Sequence, residues 1–417
     1  MLERFPHAPT EGAQGPLVRK AEPSPESLAA PESGIVEVFQ YGRGRQGLIP
    51  LYVGESDCVT PPFILDAAMQ SLRDGETFYT YQAGVPELRA AIAAYMSRHY
   101  GQPYEQAVGP FSPEQFFVTI GGMHALQIAL RLVAGSGDEV LIPTPAWPNF
   151  HGALSVLGAK PVPVPMDFRS VNGKACWHLD VDRIAASITP ATRCLIVNTP
   201  SNPTGWTATI EDLQQLLELA RRHGLWLLAD EIYGRLTFDD KRAPSFHDIM
   251  EKEDSILFLQ TFSKNWAMTG LRIGWLEAPR ALAPAVENLI QYSTSGVATP
   301  WQRAATAALE QGEPFFHSML SRIGKGRAIL HDGLYRTGRI HAALPDGGFY
   351  LFCAVDGEPD TRRLAMRLVD EANVGVAPGT AFGPGGEAFI RLCFAREPDL
   401  LKEAVRRLCL WLAREGG

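Results

Sequence analysis

From about Pro61 onward the chain alternates between two textures. One is helical: the stretch from Pro86 to His99 opens on a proline, keeps a helical period and is followed by Gly101, which marks the stop. The other consists of short runs, among them Phe116–Ile120, Val140–Ile142, Cys194–Val197, Leu225–Ala229 and Ile256–Leu259. Each is too short for a helix, rich in β-formers or apolar throughout, and separated from the next by roughly the length of a crossover helix. This alternation predicts an α/β fold with a mainly parallel sheet covered by helices on both faces.

Beyond about Pro300 the pattern changes to a long helical stretch, a Gly347-Gly348 turn into Phe349–Cys353, a helix near Thr361–Asn373 and the Gly-rich Pro378–Gly386. A smaller α+β domain is expected there. The expected organisation is a flexible, Pro-rich leader over 1–33, a segment over 34–60 that packs with the small domain, a large domain over 61–304 and a small domain over 305–417. A chain of 417 residues agrees with two cores rather than one.

Composition narrows the function classes. A formal charge of −8 disfavours nucleic acid and anionic lipid as partners, so any anion site has to be local. The leader has no apolar stretch that would serve as a signal or a membrane span. Six cysteines without a CxxC pair suit free thiols in a reducing, cytoplasmic setting. The ten histidines fall at no metal-ligand spacing, so no metal site is expected.

Ligands of open α/β sheets sit beyond the carboxyl ends of the strands, which directs attention to the polar residues just after each apolar run. Ile256–Leu259 leads into Gln260-Thr261-Phe262-Ser263-Lys264, and then Gly270-Leu271-Arg272-Ile273-Gly274. A desolvated lysine there suits an amine nucleophile toward an aldehyde cofactor; alone it is more simply a solvent-facing charge. Cys194–Val197 leads into Asn198 through Gly205, and Leu225–Ala229 into Asp230-Glu231-Ile232-Tyr233. Asp230 suits a carboxylate that keeps a pyridine nitrogen protonated, while Asn202 and Tyr233 offer donors to a phenolic oxygen. Singly, Asn202 reads as a turn and Asp230 as a cap. Gly121-Gly122-Met123 lies where a strand passes into a helix and alone reads equally as a tight turn or as an anion cradle, to which Thr261, Ser263 and Arg272 can add two hydroxyls and a guanidinium.

These residues, in this order, resemble the class I/II aminotransferases, the fold-type I pyridoxal-phosphate enzymes. Ser263-Lys264 with Gly270-Leu271-Arg272-Ile273-Gly274 looks like their signature, and the likeness extends over about residues 34–415 through Gly54 with Asp57, Tyr79, Trp147-Pro148-Asn149, Asn202-Pro203-Thr204-Gly205, Asp230 with Tyr233, and Pro378-Gly379 through Arg391. The resemblance implies a sheet of the seven-stranded type and pyridoxal 5'-phosphate held as a Schiff base by Lys264. It further implies that Asp230 pairs with the pyridinium, Asn202 and Tyr233 bind the phenolic oxygen, and Trp147 stacks on the ring. Gly122, Met123, Thr261, Ser263 and Arg272 would hold the phosphate, with Tyr79 reaching the phosphate of a partner subunit's cofactor in a homodimer. Arg391 would clamp the substrate α-carboxylate, with Gly54 and Asn202 beside it.

Two departures matter. Ser56 and Cys58 stand where many members have Pro and Phe, and Ala281–Gln302 has no Arg or Lys, where a dicarboxylate-specific subgroup uses an arginine. The expected activity is amino-group transfer from an L-amino acid to a 2-oxo acid, with Lys264, Asp230 and Tyr233 catalytic. The alternatives are another pyridoxal-phosphate reaction on the same scaffold (C–S β-lyase, decarboxylase or amino-acid oxidase), since fold does not fix reaction class, and more remotely a non-catalytic effector-binding domain.

Overall fold

The structure, a computed structural model, describes residues 21–101, 111–238 and 242–414, so most of the expected leader lies outside the described residues. Seven strands form the main sheet: β1 (Phe116–Thr119), β2 (Glu139–Thr144), β3 (Lys160–Pro165), β4 (Thr192–Asn198), β5 (Trp226–Asp230), β6 (Ile256–Thr261) and β7 (Gly274–Glu277). Their spatial order is β1-β7-β6-β5-β4-β2-β3. All neighbouring pairs run parallel except those of β7, which is antiparallel to both β1 and β6. Every residue of β1, β6 and β7 is buried, which is why these strands read as largely apolar runs instead of alternating ones, with Gln260 and Glu277 as buried polar exceptions.

The expected runs all appear as strands, and the structure adds two that the pattern did not predict. β3 carries Pro161, Pro163 and Pro165, which argues against a sheet interior. It is the edge strand, and the amides of Lys160 and Met166 point to β2, so the prolines at odd positions place their missing donors on the open side. β7 is four residues long and begins at Gly274, the last residue of the Gly270-Leu271-Arg272-Ile273-Gly274 motif.

The C-terminal part contains an antiparallel sheet of β8 (Ile340–Ala342), β9 (Tyr350–Val355), β10 (Ala377–Pro378) and β11 (Phe389–Cys393), in the order β8-β9-β11-β10. The helices Glu313–Tyr335 and Pro398–Arg414 pack on each other beside it. The helix Gly34–Gly42 rests against Thr361–Arg367 and β10, and Ile49–Pro50 pairs with Val374–Gly375. One apolar cluster runs through both sheets, joining Leu195 and Leu227 to Leu351 and Phe352. The groove between the sheets is thereby held at fixed geometry by shared packing.

Candidate active site

Because β4, β5 and β6 are adjacent and parallel, their carboxyl ends open on one edge, with Asn198 in register with Asp230 and Asp230 with Leu259. A cavity of about 460 Å³ lies over that edge. Every site residue expected from the sequence lines it except Tyr79.

Lys264 sits on a one-turn helix directly after β6, started by the Thr261 hydroxyl, which accepts from the Ser263 amide. Its Nζ donates to the Gly54 carbonyl at 2.7 Å. Burial pulls its pKa down to about 8; Arg391 and Arg272 add to the effect, and Cys393 and Glu55 oppose it. Gly54 has to be glycine, since a Cβ there would collide with the Tyr350 hydroxyl.

Asp230 is 2% exposed, and burial pushes its carboxyl up to about 7; Glu231 pushes the same way, while the Ile232 amide, donating to Oδ1 at 3.3 Å, and Lys264 pull it down. Such a carboxyl is poised for a cationic partner in the cavity. Behind it lies a buried network that the sequence did not announce. Ser245 Oγ donates to Glu231 at 2.6 Å and lies 2.9 Å from Nδ1 of His247, whose Nε2 lies 3.0 Å from Glu277. Burial alone would keep this imidazole neutral, but Glu277 and Glu231 outweigh it and raise its pKa. The imidazole stacks on Phe258 at 3.7 Å, so the segment after Asp230 is locked to β6 and β7. Its one linear signal is Glu231, beside Asp230.

Tyr233 is buried with its hydroxyl 2.9 Å from that of Tyr350, a residue given no role by the sequence. The anion cradle is built by close approach. Gly121, at φ +70, brings its backbone to where a Cβ would lie 2.9 Å from Arg272 Nη2, and a Cβ on Gly274 would lie 3.1 Å from the Gly122 nitrogen. The first turn of the 13-residue helix Gly121–Val133 therefore aims its free amides at the space held by Arg272, Thr261 and Ser263. Arg272 itself adopts a left-handed conformation and is tied to the Thr269 carbonyl at 2.8 Å. Met123 contributes its backbone here, because its sulfur already accepts from Asn149.

Arg391, on β11, is 3% exposed; it donates to Asn202 Oδ1 at 2.8 Å and to the Tyr52 carbonyl at 2.7 Å, while its Nε has no partner. The rings of Tyr350 and Phe382 lie 4.3 and 4.9 Å from it, so the guanidinium is held flat. Trp147, at the start of the helix Pro148–Leu157, is half-buried on the cavity wall and edge-on to Phe150. Tyr79 is elsewhere: it is 95% exposed, on a shallow groove with Arg303. Among the described residues there is no cluster able to hold a metal ion and no helix long and apolar enough to cross a membrane. All six cysteines are free thiols.

The family model for aminotransferase class I and II matches residues 46–408. The chain belongs to that family. The aminotransferase is 34% identical over 376 residues to an arginine–pyruvate transaminase of Pseudomonas aeruginosa, covering 89% of this chain and 92% of the relative. It is 32% identical to an aspartate aminotransferase of Geobacillus stearothermophilus, covering 87% and 90%. A solved aromatic aminotransferase of Pyrococcus horikoshii superposes with a TM-score of 0.82 at 30% identity, covering 92% of this chain and 99% of that one. The fold is thus that of the fold-type I aminotransferases, and the enzyme is a transaminase acting on amino and oxo acids.

Proposed function

We propose that this aminotransferase works with pyridoxal 5'-phosphate in the cavity at the strand ends and moves an amino group from an L-amino acid to a 2-oxo acid. The residues present fit that group. A helix N-terminus with Arg272 suits its phosphate, a buried carboxyl with pKa about 7 suits its ring nitrogen, and an amine lowered to about 8 suits its aldehyde. When bound, the cofactor supplies the carbon that takes the amino group and a cationic ring that draws electrons from the substrate's α-carbon.

The residues lining the cavity support these roles. Gly122, Met123, Thr261, Ser263 and Arg272 would hold the phosphate, Trp147 would pack on the ring, and Asn202 and Tyr233 would bind the phenolic oxygen. Asp230 would keep the ring nitrogen protonated. Arg391, flattened between two rings, presents a planar fork to the α-carboxylate, with Gly54 and Asn202 completing that end. Lys264 Nζ would then be the base that takes the α-proton and, as its conjugate acid, gives that proton up again. The observation that carries this proposal is the convergence of Lys264, Asp230 and Arg391 on one cavity. The test is to load the protein with pyridoxal 5'-phosphate and follow amino transfer. One oxo acid per amino acid, with turnover dependent on a 2-oxo-acid acceptor, is expected; carbon dioxide, peroxide, or ammonia with pyruvate released without an acceptor would show another reaction.

Arg391→Lys is expected to raise KM and lower kcat together, with kcat/KM falling about 10-fold or more, because an ammonium loses both the fork and the grip on Asn202. Steady-state kinetics with one good donor measures this. The near-complete exposure of Tyr79 supports a homodimer in which it reaches the other subunit's phosphate. Sedimentation is expected to show a dimer, and Tyr79→Phe to weaken cofactor retention; a fully active monomer would refute the shared site. The free thiols support a cytoplasmic setting. Residues 305–417 are proposed as the small domain and 34–60 as the N-terminal segment that packs with it, with 61–304 as the large domain.

A further inference from the structure

The cavity has two chemically distinct sides. Its lysine and arginine side chains among the described residues are Lys264, Arg272 and Arg391, each with a role in the proposed function. No cation among the described lining residues is left over for a second carboxylate. Glu55 lines the cavity too, held by the Thr269 hydroxyl at 2.8 Å, and it would repel one.

The facing wall is the helix Gly34–Gly42. Val38 turns into the core and is fully buried, whereas Ile35, Val36 and Phe39 line the cavity. Positions 35, 36 and 39 share one stripe of a helix. Val36 and Phe39 remain 50% and 41% exposed, and large apolar side chains left open side by side mark a surface that something covers. The wall begins next to the carboxylate clamp: the Phe39 ring is edge-on to Tyr52 at 5.8 Å, and the Tyr52 carbonyl is the one that Arg391 grips. A substrate whose α-carboxylate sits on Arg391 therefore has this wall within reach of its side chain. A second cavity of about 650 Å³ shares Ser33, Met123, Trp147 and Asn149 with the first, and it has no lysine or arginine among its described lining residues.

We propose that the amino donor is an L-amino acid with a large apolar side chain, aromatic or branched aliphatic, which packs against Ile35, Val36 and Phe39. This rests on the amino-transfer reading of the same site. A buried apolar side chain that fits such a wall gains roughly tenfold or more in kcat/KM over a small one, while an unpaired carboxylate loses more than that.

The test uses the full chain loaded with pyridoxal 5'-phosphate. Half-reaction kcat/KM is measured for L-phenylalanine, L-leucine, L-alanine, L-aspartate and L-arginine. Phenylalanine or leucine is expected to exceed alanine and aspartate by tenfold or more. Phe39→Ala should lower the phenylalanine-to-alanine ratio at least fivefold, and Phe39→Arg should raise the aspartate-to-phenylalanine ratio. Aspartate or arginine as the best donor, or ratios unmoved by both variants, would overturn the proposal. Calorimetric binding of 3-phenylpropionate against succinate reads the wall without any turnover. Tighter succinate binding overturns the proposal; tighter phenylpropionate binding that Phe39→Ala weakens upholds the apolar side-chain site, so that a failure of amino transfer would fall on the proposed reaction and not on this wall.

Discussion

Lys264→Ala is expected to abolish transamination, with a rate loss of about 10⁴-fold or more, since in the proposed function one amine serves both as the nucleophile that holds the cofactor and as the base that takes the α-proton. The fold should survive, because the side chain's hydrogen bond is to the Gly54 carbonyl and its burial is a cost that alanine removes. Cofactor should still enter, held by the cradle and Asp230. Borohydride reduction followed by peptide mass analysis should label Lys264 in the wild type and no lysine in the variant; a label elsewhere would defeat the assignment. The depressed pKa also sets a pH dependence. The neutral amine is the nucleophile, so covalent loading of the empty protein should accelerate as pH rises toward about 8 and then level off. An ordinary lysine would keep accelerating past pH 10.

Asp230→Asn is expected to cut turnover on the order of 10²-fold or more, about 3 kcal/mol of barrier, while most cofactor binding remains. An amide of the same shape cannot keep the ring nitrogen protonated, and the electron sink is lost. Stability separates this role from a structural one. Burial raises the Asp230 carboxyl to about 7, so the folded state holds its proton above the unfolded value, and stability is lost as pH rises through that window. Above pH 7 the empty wild type bears the full cost of the buried charge, and the asparagine variant bears none. Thermal melts of the empty proteins at pH 8 should therefore find the variant at least as stable. A large loss of stability would make Asp230 a structural residue.

What was legible in the sequence is what local chemistry and strand-end position encode. Asp230 follows its apolar run directly and Asn202 and Lys264 come soon after theirs, and those runs became β5, β4 and β6. The residues that escaped notice depend on distant pairing. Tyr350 meets Tyr233 across 117 positions, and nothing near it in the chain marks its hydroxyl as functional. Phe39 lies on a helix whose cavity-facing stripe shows only once Gly34–Gly42 is seated on the C-terminal sheet. The His247–Glu277 contact joins residues brought together only by the β6–β7 pairing and the loop after β5. β3 was hidden because its prolines argue against a strand unless its edge position is already known.

The hydrogen bond from Lys264 to Gly54 spans 210 positions, and that from Arg391 to the Tyr52 carbonyl spans 339. During synthesis the chain emerges from its N-terminus, so the helix carrying Val36 and Phe39 leaves the ribosome long before the β11 residue that completes the carboxylate clamp. The phosphate cradle must likewise wait for Gly274 to settle against Gly121 and Gly122. No truncated nascent chain can own a working pocket. Under the proposed function, cofactor loading is thus a late step, after synthesis of nearly the whole polypeptide, and the Val38 face of the helix spends that interval uncovered, where chaperones or self-association compete for it.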